Sequence, residues 1–355
     1  MPRRSEQSEH QGGTAKIEAS EPRGMLSRRH VITIIGAVAG LPLLPSADEP
    51  EPPARLHRWR GTALGSPSYI MVAHPDHGAA EKAIAECVAE IERLEKQFSL
   101  YRDDSEIARL NRDGRLEAPS CDLLALLSQC QRFYELSGGA FDVTVQPLWE
   151  VYAAHFFGSR LPPPNGPEAS ALEQALALVG WQNVDIAPRC ITLARQGMGL
   201  TLNGIAQGFL TDRTADILRT NGCDRVLADM GRSEIRLVGH RPDGQAWRIG
   251  LADPLAPDRV AVTLNLADRC ISTSGGYGTK FEATGRYHHL FDTRTGTSAG
   301  HYIAVSVIAA STMVADALST SLYVTPPERS DRLLSAFPEA LALATRHDGS
   351  LHLLG

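Results

Sequence analysis

The hydrophobic period changes along the chain, and this change restricts the fold more than any other sequence feature. Over residues 79–98, apolar side chains recur every three or four positions, which predicts an amphipathic helix. From 225 to 308, short runs of alternating apolar and polar residues predict strands instead. Helices early and strands late predict an α+β fold rather than a regular alternation around a parallel sheet.

Local signals refine this pattern. Further helices are predicted over 120–136, 168–179, 205–221, 313–323 and 329–336, several of them bounded by Gly or Pro. Asp103, followed by Glu106, has the pattern of a capping box and predicts a short helix that ends between Asn111 and Gly114. Strands are predicted at 191–193, 200–202, 235–238, 247–251, 260–264 and 303–308, with a closing hairpin at Asp348 and Gly349.

Composition and charge exclude some classes of function. The 355 residues have an ordinary globular composition and a formal net charge of −6. No long basic run occurs in the body of the chain, so nucleic acid is not expected as a partner. The cysteines form no C-x-x-C pair, which argues against a thiolate-bound metal. Cys87 and Cys130 lie on apolar helical patterns and are predicted to be buried free thiols.

The N-terminal segment has the features of an export signal. Residues 1–24 are polar and are predicted to be a disordered leader. Arg28 and Arg29 then precede an apolar run of about fourteen residues, shorter than the roughly 20 that span a membrane. A Pro-rich stretch follows, so 25–53 are predicted to be a twin-arginine-type signal and linker rather than a buried helix. The prediction places the protein in the periplasm and leaves 54–355 for the folded domain.

Five short segments are polar or Gly-rich where a plain core element would not be. They are residues 137–144, 201–208, 271–277, 287–296 and 316–320. Each has an ordinary structural alternative: a helix cap, a strand–turn–helix junction, a solvated turn, a surface strand or a helix start. Free backbone amides at the helix start near Gly204 would suit phosphate oxygens, and Asp142 could accept hydrogen bonds from a ligand.

Two of these segments carry side chains with a definite chemistry. His289 is a candidate for accepting a hydroxyl proton, and strand alternation would place it on one face with Phe291, opposite His288. Asp316 and Thr320 are four residues apart, so a helix places both on one face. A carboxylate and a hydroxyl are hard oxygen ligands that suit Mg²⁺.

Together and in this order, the segments resemble the ApbE family of FAD:protein FMN transferases over about residues 55–325. The resemblance lies in five motifs: F-S-x-Y-R-x-D-S-E-I-x-R-L-N at 98–111, G-A-F-D at 139–142, S-T-S-G at 272–275, H-x-x-D-x-R-T-G at 289–296 and A-D-A-L-S-T at 315–320. The resemblance implies a T-fold-related arrangement of helices and antiparallel sheets around a flavin cleft, with 54–355 as the flavin transferase domain.

The resemblance also implies roles for individual residues. Asp316, Thr320 and the Gly204 carbonyl match a divalent metal site, and His289 matches the histidine implicated in transfer. The FAD-lining positions are matched by Tyr101, Ala140, Phe141, Asp142, Thr201, Gln207, Phe291 and Ser319. The implied reaction moves FMN from FAD to a Thr or Ser hydroxyl of a partner protein, in the presence of Mg²⁺ or another divalent cation, and releases AMP.

Some positions depart from the family pattern, and they keep two alternatives open. The family usually has Asp at Thr201, Lys or Glu at Gln207, Pro at Thr293 and a second Gly at Arg232. The alternatives are an FAD pyrophosphatase and a non-catalytic FAD-binding accessory protein. The expected acceptor is a membrane or periplasmic respiratory component, and the resemblance permits the exported, NosX-like branch.

Overall fold

The computed structural model describes residues 54–158 and 165–355. Residues 1–53, predicted as a leader and an export signal, lie outside the described residues. Within them, the helices longer than one turn are α1 (His77–Phe98), α2 (Glu106–Asp113), α3 (Cys121–Ser137), α4 (Gln146–Phe157), α5 (Ala169–Leu176), α6 (Ala206–Thr220), α7 (Thr312–Val324) and α8 (Ser330–Leu334). None of the helices in this part of the chain is long and apolar enough to cross a membrane.

The strands form one large sheet and two small ones. They are β1 (Arg55–Ala63), β2 (Ser66–His74), β3 (Arg115–Glu117), β4 (Val184–Ala187), β5 (Cys190–Leu193), β6 (Val226–Asp229), β7 (Ile235–Val238), β8 (Trp247–Asp253), β9 (Ala256–Leu266), β10 (Cys270–Gly275), β11 (Ala304–Ala309), β12 (Leu341–Thr345) and β13 (Leu351–Leu354). The large sheet has the order β1-β2-β6-β7-β10-β11-β12-β13, and the small sheets are β3-β5-β4 and β8-β9. Every pairing is antiparallel, which confirms the predicted α+β class.

Two central helices lie in the interior of the domain. Helix α7 packs against β10 and β11, α6 packs against α7, and α1 packs against α6. Gly208 makes the α6–α7 contact possible, because a Cβ there would lie 2.5 Å from the Thr312 carbonyl oxygen. The Asp212 carboxylate on α6 accepts hydrogen bonds from the backbone N–H groups of Thr312 and Met313, at 2.9 and 3.0 Å. One turn of α6 thus both contacts and caps the start of α7.

Some local predictions were wrong for identifiable reasons. Ser105, not Asp103, caps α2: its hydroxyl accepts from the Ala108 N–H at 3.1 Å and donates to the Ser99 carbonyl at 2.6 Å. Residues 200–202 form no strand, because the Leu200 N–H and C=O both bond to the Asn111 side chain. Apart from the strand expected around His289 and Phe291, the remaining helices and strands agree with the predictions to within a few residues, and Cys87 and Cys130 are buried free thiols.

Arg232 adopts a backbone conformation that favours glycine. Its φ is +73°, it is exposed, and it follows Gly231 at the turn between β6 and β7. We expect Arg232→Gly to raise the free energy of unfolding by up to about 1 kcal/mol, because a Cβ in the left-handed region costs about that much. Urea unfolding measures the change. Arg248→Gly, in the exposed row of β8, should lower stability instead; a loss in both variants would contradict the assignment of strain to Arg232.

Candidate active site

The predicted metal ligands on α7 face a shared interior position. Asp316 is 3% exposed, and its Oδ2 accepts a hydrogen bond from the Gly208 N–H at 2.9 Å. Thr320 lies one turn further on, and its Oγ1 is 2.9 Å from the Ser274 Oγ. Within residues 54–158 and 165–355, no hydrogen-bond donor contacts the second oxygen of Asp316. This oxygen and the Thr320 hydroxyl are available as ligands.

The backbone of Gly204 completes this arrangement. A Cβ at Gly204 would lie 3.2 Å from the Thr320 Oγ1 and 3.4 Å from the Phe141 Cε2, so the three residues are in contact. The structure therefore places Gly204 against Thr320, and Asp316, the third residue that the sequence predicted as a metal ligand, lies one turn of α7 from Thr320. A carboxylate, a hydroxyl and a nearby backbone carbonyl are the donor types that hard divalent cations such as Mg²⁺ prefer.

Glu234 is a second buried acid in this site, and the sequence analysis missed it. It is 4% exposed, its Oε1 accepts from the Ser233 Oγ at 2.7 Å, and its Oε2 has no hydrogen-bond partner among the described residues. Burial raises its pKa, and the nearby Asp229 raises it further. The available signal was an acid at the start of an apolar strand, which a buried partner or ligand has to compensate.

The two buried acids need a nearby positive charge to stabilise their ionised forms. Burial, and then the charge of Glu234, raises the pKa of Asp316 well above its usual range. No Lys, Arg or His nitrogen in the part of the chain that the structure describes lies within 4.0 Å of either carboxylate. A bound divalent cation would stabilise both ionised carboxylates, so the residues present fit a metal ion.

A row of hydroxyls connects β10 to α7. The Ser274 Oγ lies 2.8 Å from the Ser319 Oγ, and Ser319 also donates to the Asp316 carbonyl at 3.0 Å. Ser272 is fully buried, with its Oγ 3.5 Å from the Glu234 Oε1. The solvated turn considered for 271–277 is therefore wrong for the serines. They belong to a strand whose hydroxyls face the carboxylates.

The loop after α3 supplies an aromatic wall. Gly138 ends α3 in the left-handed conformation, and the Phe141 N–H then donates to the Ser137 Oγ at 2.9 Å, which turns Phe141 inward toward Gly204. Ala140 lies between them and packs against the core. The same loop is tied to the 292–296 turn, because the Thr293 hydroxyl donates to the Gly139 carbonyl at 2.8 Å. Proline, usual in the family at this position, could not make that bond.

Both carboxylate oxygens of Asp142, which was predicted to accept hydrogen bonds from a ligand, accept hydrogen bonds from the protein. Its Oδ1 accepts from the Thr144 N–H and hydroxyl at 2.8 and 2.7 Å, and its Oδ2 accepts from the Trp181 N–H at 3.0 Å. Burial raises its pKa, and the bonds from Thr144 and Trp181 oppose that effect. These three donors hold the 141–145 segment against the turn at Trp181, and contact of Asp142 with FAD stays a prediction.

The β1–β2 turn forms another edge of the site. Gln207 donates from Nε2 to the Ser66 Oγ at 2.8 Å, and a Cβ on Gly231 would lie 3.0 Å from its side chain. Tyr101 is 70% exposed and its ring lies over Gly65, beside Ser66. Thr201 is partly exposed, and its Oγ1 accepts from the Asn203 N–H at 3.4 Å. Tyr101 and Gln207 therefore contact neighbouring residues of the same turn, Gly65 and Ser66.

His289 has a defined tautomer. Its Nδ1 is 3.2 Å from the Thr279 carbonyl oxygen, which can only accept, so Nδ1 carries the proton and Nε2 has a free lone pair. Loss of hydration, and then the neighbouring His288, lowers the pKa of His289 below its usual range. The ring is thus neutral at neutral pH. The glycine-containing segment 275–279 joins its partner Thr279 to Ser274, whose Oγ contacts the Thr320 hydroxyl.

The predicted strand at 287–291 is not formed. Single bridges occur instead, between Lys280 and His288 and between Phe291 and Ser298. His288 is buried against Gly276, with its Nε2 3.4 Å from the Tyr323 hydroxyl, whereas His289 stays partly exposed. Phe291 is 3% exposed in an aromatic cluster with Tyr152 and Phe281. Its contacts show a packing role, and FAD contact stays a prediction.

Comparison with known proteins agrees with this geometry. The ApbE family model matches residues 64–344. A FAD:protein FMN transferase of Vibrio cholerae serotype O1 is 31% identical over 299 residues, covering 82% of this chain and 87% of the relative. One of Treponema pallidum is 32% identical over 280 residues, covering 74% and 76%.

Solved structures show the same fold. The flavin transferase ApbE of Vibrio cholerae superposes with a TM-score of 0.73 at 28% identity, over 85% of this chain and 97% of that one. The ApbE protein of Thermotoga maritima gives a TM-score of 0.74 at 26% identity, over 84% and 96%. The sequence, the fold and the residues gathered around α7 agree: the chain belongs to the ApbE family.

Proposed function

We propose that this transferase moves FMN from FAD to a Thr or Ser hydroxyl of a partner protein and releases AMP, in a reaction that depends on a divalent cation. The observation that carries the proposal is the contact of Gly204 with Thr320, one turn of α7 from the buried Asp316 and beside a second buried acid, Glu234. FAD is the expected substrate because the chain belongs to the ApbE family, whose relatives are FAD:protein FMN transferases. A metal ion is expected because the carboxylates of Asp316 and Glu234 have no cationic partner among the described residues.

The proposed step is a phosphoryl transfer. The acceptor hydroxyl oxygen forms a bond to the FMN phosphorus, the bond from that phosphorus to the bridging oxygen breaks, and AMP leaves with the electron pair. The metal, when bound, neutralises charge on the pyrophosphate oxygens. Asp316 and Thr320 hold it and are not nucleophiles.

His289 takes the hydroxyl proton in this scheme. The Thr279 carbonyl holds the imidazole with Nε2 unprotonated, so the free lone pair can accept the proton as the new bond forms. The lowered pKa keeps the ring neutral, and therefore able to act as a base, across the neutral pH range.

One assay separates this proposal from the two alternatives. The full chain is incubated with FAD, Mg²⁺ and a Thr-containing fragment of a candidate flavoprotein, and in-gel flavin fluorescence and released AMP are both measured. Both signals together indicate a transferase, AMP alone a pyrophosphatase, and neither an FAD-binding accessory. Thr201 and Gln207 favour the accessory role, because they replace charged residues of the family. The uncharged Gln207 side chain still bonds to Ser66 on the β1–β2 turn.

The N-terminal sequence supports a proposal about location, and the resemblance to exported members of the family supports one about the acceptor. We propose that residues 25–53 direct export through a twin-arginine route, so that the acceptor is a periplasmic or membrane respiratory component. A fusion of residues 1–53 to a reporter that requires this route tests the first point. Replacement of both Arg28 and Arg29 by Lys should keep the reporter in the cytoplasm; unchanged export would contradict the assignment.

A further inference from the structure

A second group of potential metal ligands lies away from the flavin site, where β1 meets the start of α1. His57 on β1 is buried, whereas His77 and Glu81 are exposed on the first two turns of α1. One ligand atom from each residue lies within 4.8 Å of the others. His77 and Glu81 are four residues apart, so the helix places both on the face that looks toward His57.

The tautomer of His57 leaves one ring nitrogen free to bind a metal ion. Its Nε2 lies 3.3 Å from the His74 carbonyl oxygen, so Nε2 carries the proton and Nδ1 has a free lone pair. Metal-binding histidines commonly donate their second ring N–H to a backbone carbonyl in this way. The free Nδ1 points toward His77, whose own Nδ1 is 3.3 Å away.

The spacing of these two nitrogens matches a tetrahedral metal centre. Two nitrogen ligands about 2.05 Å from a tetrahedral ion lie about 3.3 Å apart, which is the separation found here. Two imidazoles and one carboxylate form a typical three-residue zinc set that leaves a fourth position for water or another ligand. A simple hydrogen bond from His77 to His57 is the competing explanation.

The charges and the location support a separate site. The Asp76 carboxylate caps α1, its Oδ1 accepting from the Ala79 N–H at 3.2 Å, and it is next to His77 in the chain. His57 lies six residue steps along β1 from Ala63 at the flavin end of the hairpin, a distance of about 20 Å. We propose that His57, His77 and Glu81 bind one divalent transition-metal ion of the zinc class and thereby join β1 to α1.

The test uses Zn²⁺ and Co²⁺ on the full chain, with saturating Mg²⁺ to occupy the flavin-site ligands. We expect one equivalent of Zn²⁺ to bind and to raise Tm by a few degrees, because it binds only the folded chain. Co²⁺ should give the absorption bands of a tetrahedral ion with nitrogen and oxygen ligands. A thiolate charge-transfer band would instead indicate binding at the exposed Cys121, and Cys121→Ser provides that background.

The matched variants are surface changes that the fold should tolerate. His77→Ala and Glu81→Gln should each weaken Zn²⁺ binding by at least about tenfold and remove the rise in Tm. His347→Ala removes another exposed histidine bonded to a carbonyl, and it should bind as the wild type does. Asp316→Ala should also retain the zinc equivalent, which separates this site from the proposed flavin-site metal. Equal Zn²⁺ affinity in His77→Ala and wild type, or no stoichiometric binding, would overturn the proposal.

Discussion

Asp316→Ala should abolish measurable FMN transfer while the domain stays folded. The rate should fall by on the order of 10²–10³ or more, as when one electrostatic contact to a transition state is removed. The fold should persist because burial raises the Asp316 pKa, so the ionised form opposes folding in the absence of metal. In-gel fluorescence and AMP release at saturating Mg²⁺ measure activity, and thermal unfolding measures stability.

The raised pKa of Asp316 also predicts how the stability of the metal-free protein changes with pH. Since the pKa of Asp316 is higher in the folded than in the unfolded chain, the metal-free native state holds the extra proton between those two values. Stability of the wild type therefore falls as pH rises through that window, and Asp316→Ala should reduce the fall. The comparison requires protein treated with a chelator.

Two control variants make the result specific. Asp316→Asn keeps an oxygen for the Gly208 N–H and removes only the charge, so it should lose transfer with a smaller change in Tm. Asp185→Ala changes an exposed acid on β4 and should retain both properties. Full transfer by Asp316→Ala in the presence of Mg²⁺ would refute the metal assignment.

The parts of this site that the sequence predicted depend on short-range spacing. Asp316 and Thr320 lie on one face of a helix because of the helical period, and Gly204 lies beside them because a glycine turn precedes a helix start. Similarly, Ser120 and Gly138 bound α3 because a hydroxyl cap and a left-handed glycine are local requirements.

The parts that the sequence could not predict depend on long-range contacts. Glu234 reaches the site only because β7 and β10 pair, which brings it beside Ser272. Asn111 binds both backbone groups of Leu200 from 89 positions away, and this contact replaces the strand that the local pattern favoured. The bond from the Trp181 N–H to Asp142, across 39 positions, is likewise a contact that no local pattern predicts.

Gly208→Ala should cost both stability and activity, although it adds a single methyl group. The new Cβ would lie 2.5 Å from the Thr312 carbonyl oxygen and 2.7 Å from the Met313 Cα, which are backbone atoms that no side-chain rotation can move. Helices α6 and α7 would have to separate, at a cost of about 1–3 kcal/mol for overpacking. Denaturant unfolding should show the loss.

The same displacement should reach the metal site. The Gly208 N–H donates to the Asp316 Oδ2 at 2.9 Å, and a Cβ added at position 208 would also lie 2.8 Å from the Asp316 Cβ. Separation of the helices therefore moves Gly204 and the Gly208 N–H, which belong to the α6 side, away from Asp316 and Thr320 on α7. Transfer should then be slower and should require a higher Mg²⁺ concentration. A titration of transfer activity against Mg²⁺ concentration measures this shift.

Gly78→Ala is the matched control, because it makes the same substitution in another helix. The nearest atom to a Cβ at Gly78 is the Asp76 Oδ1 at 3.4 Å, an ordinary contact with a movable side chain. Alanine is the better helix former, so this variant should gain up to about 1 kcal/mol and keep its activity. Opposite signs of the two stability changes would locate the cost in the α6–α7 contact. If Gly208→Ala kept wild-type stability and Mg²⁺ dependence, the close approach of these helices would not be what positions Asp316.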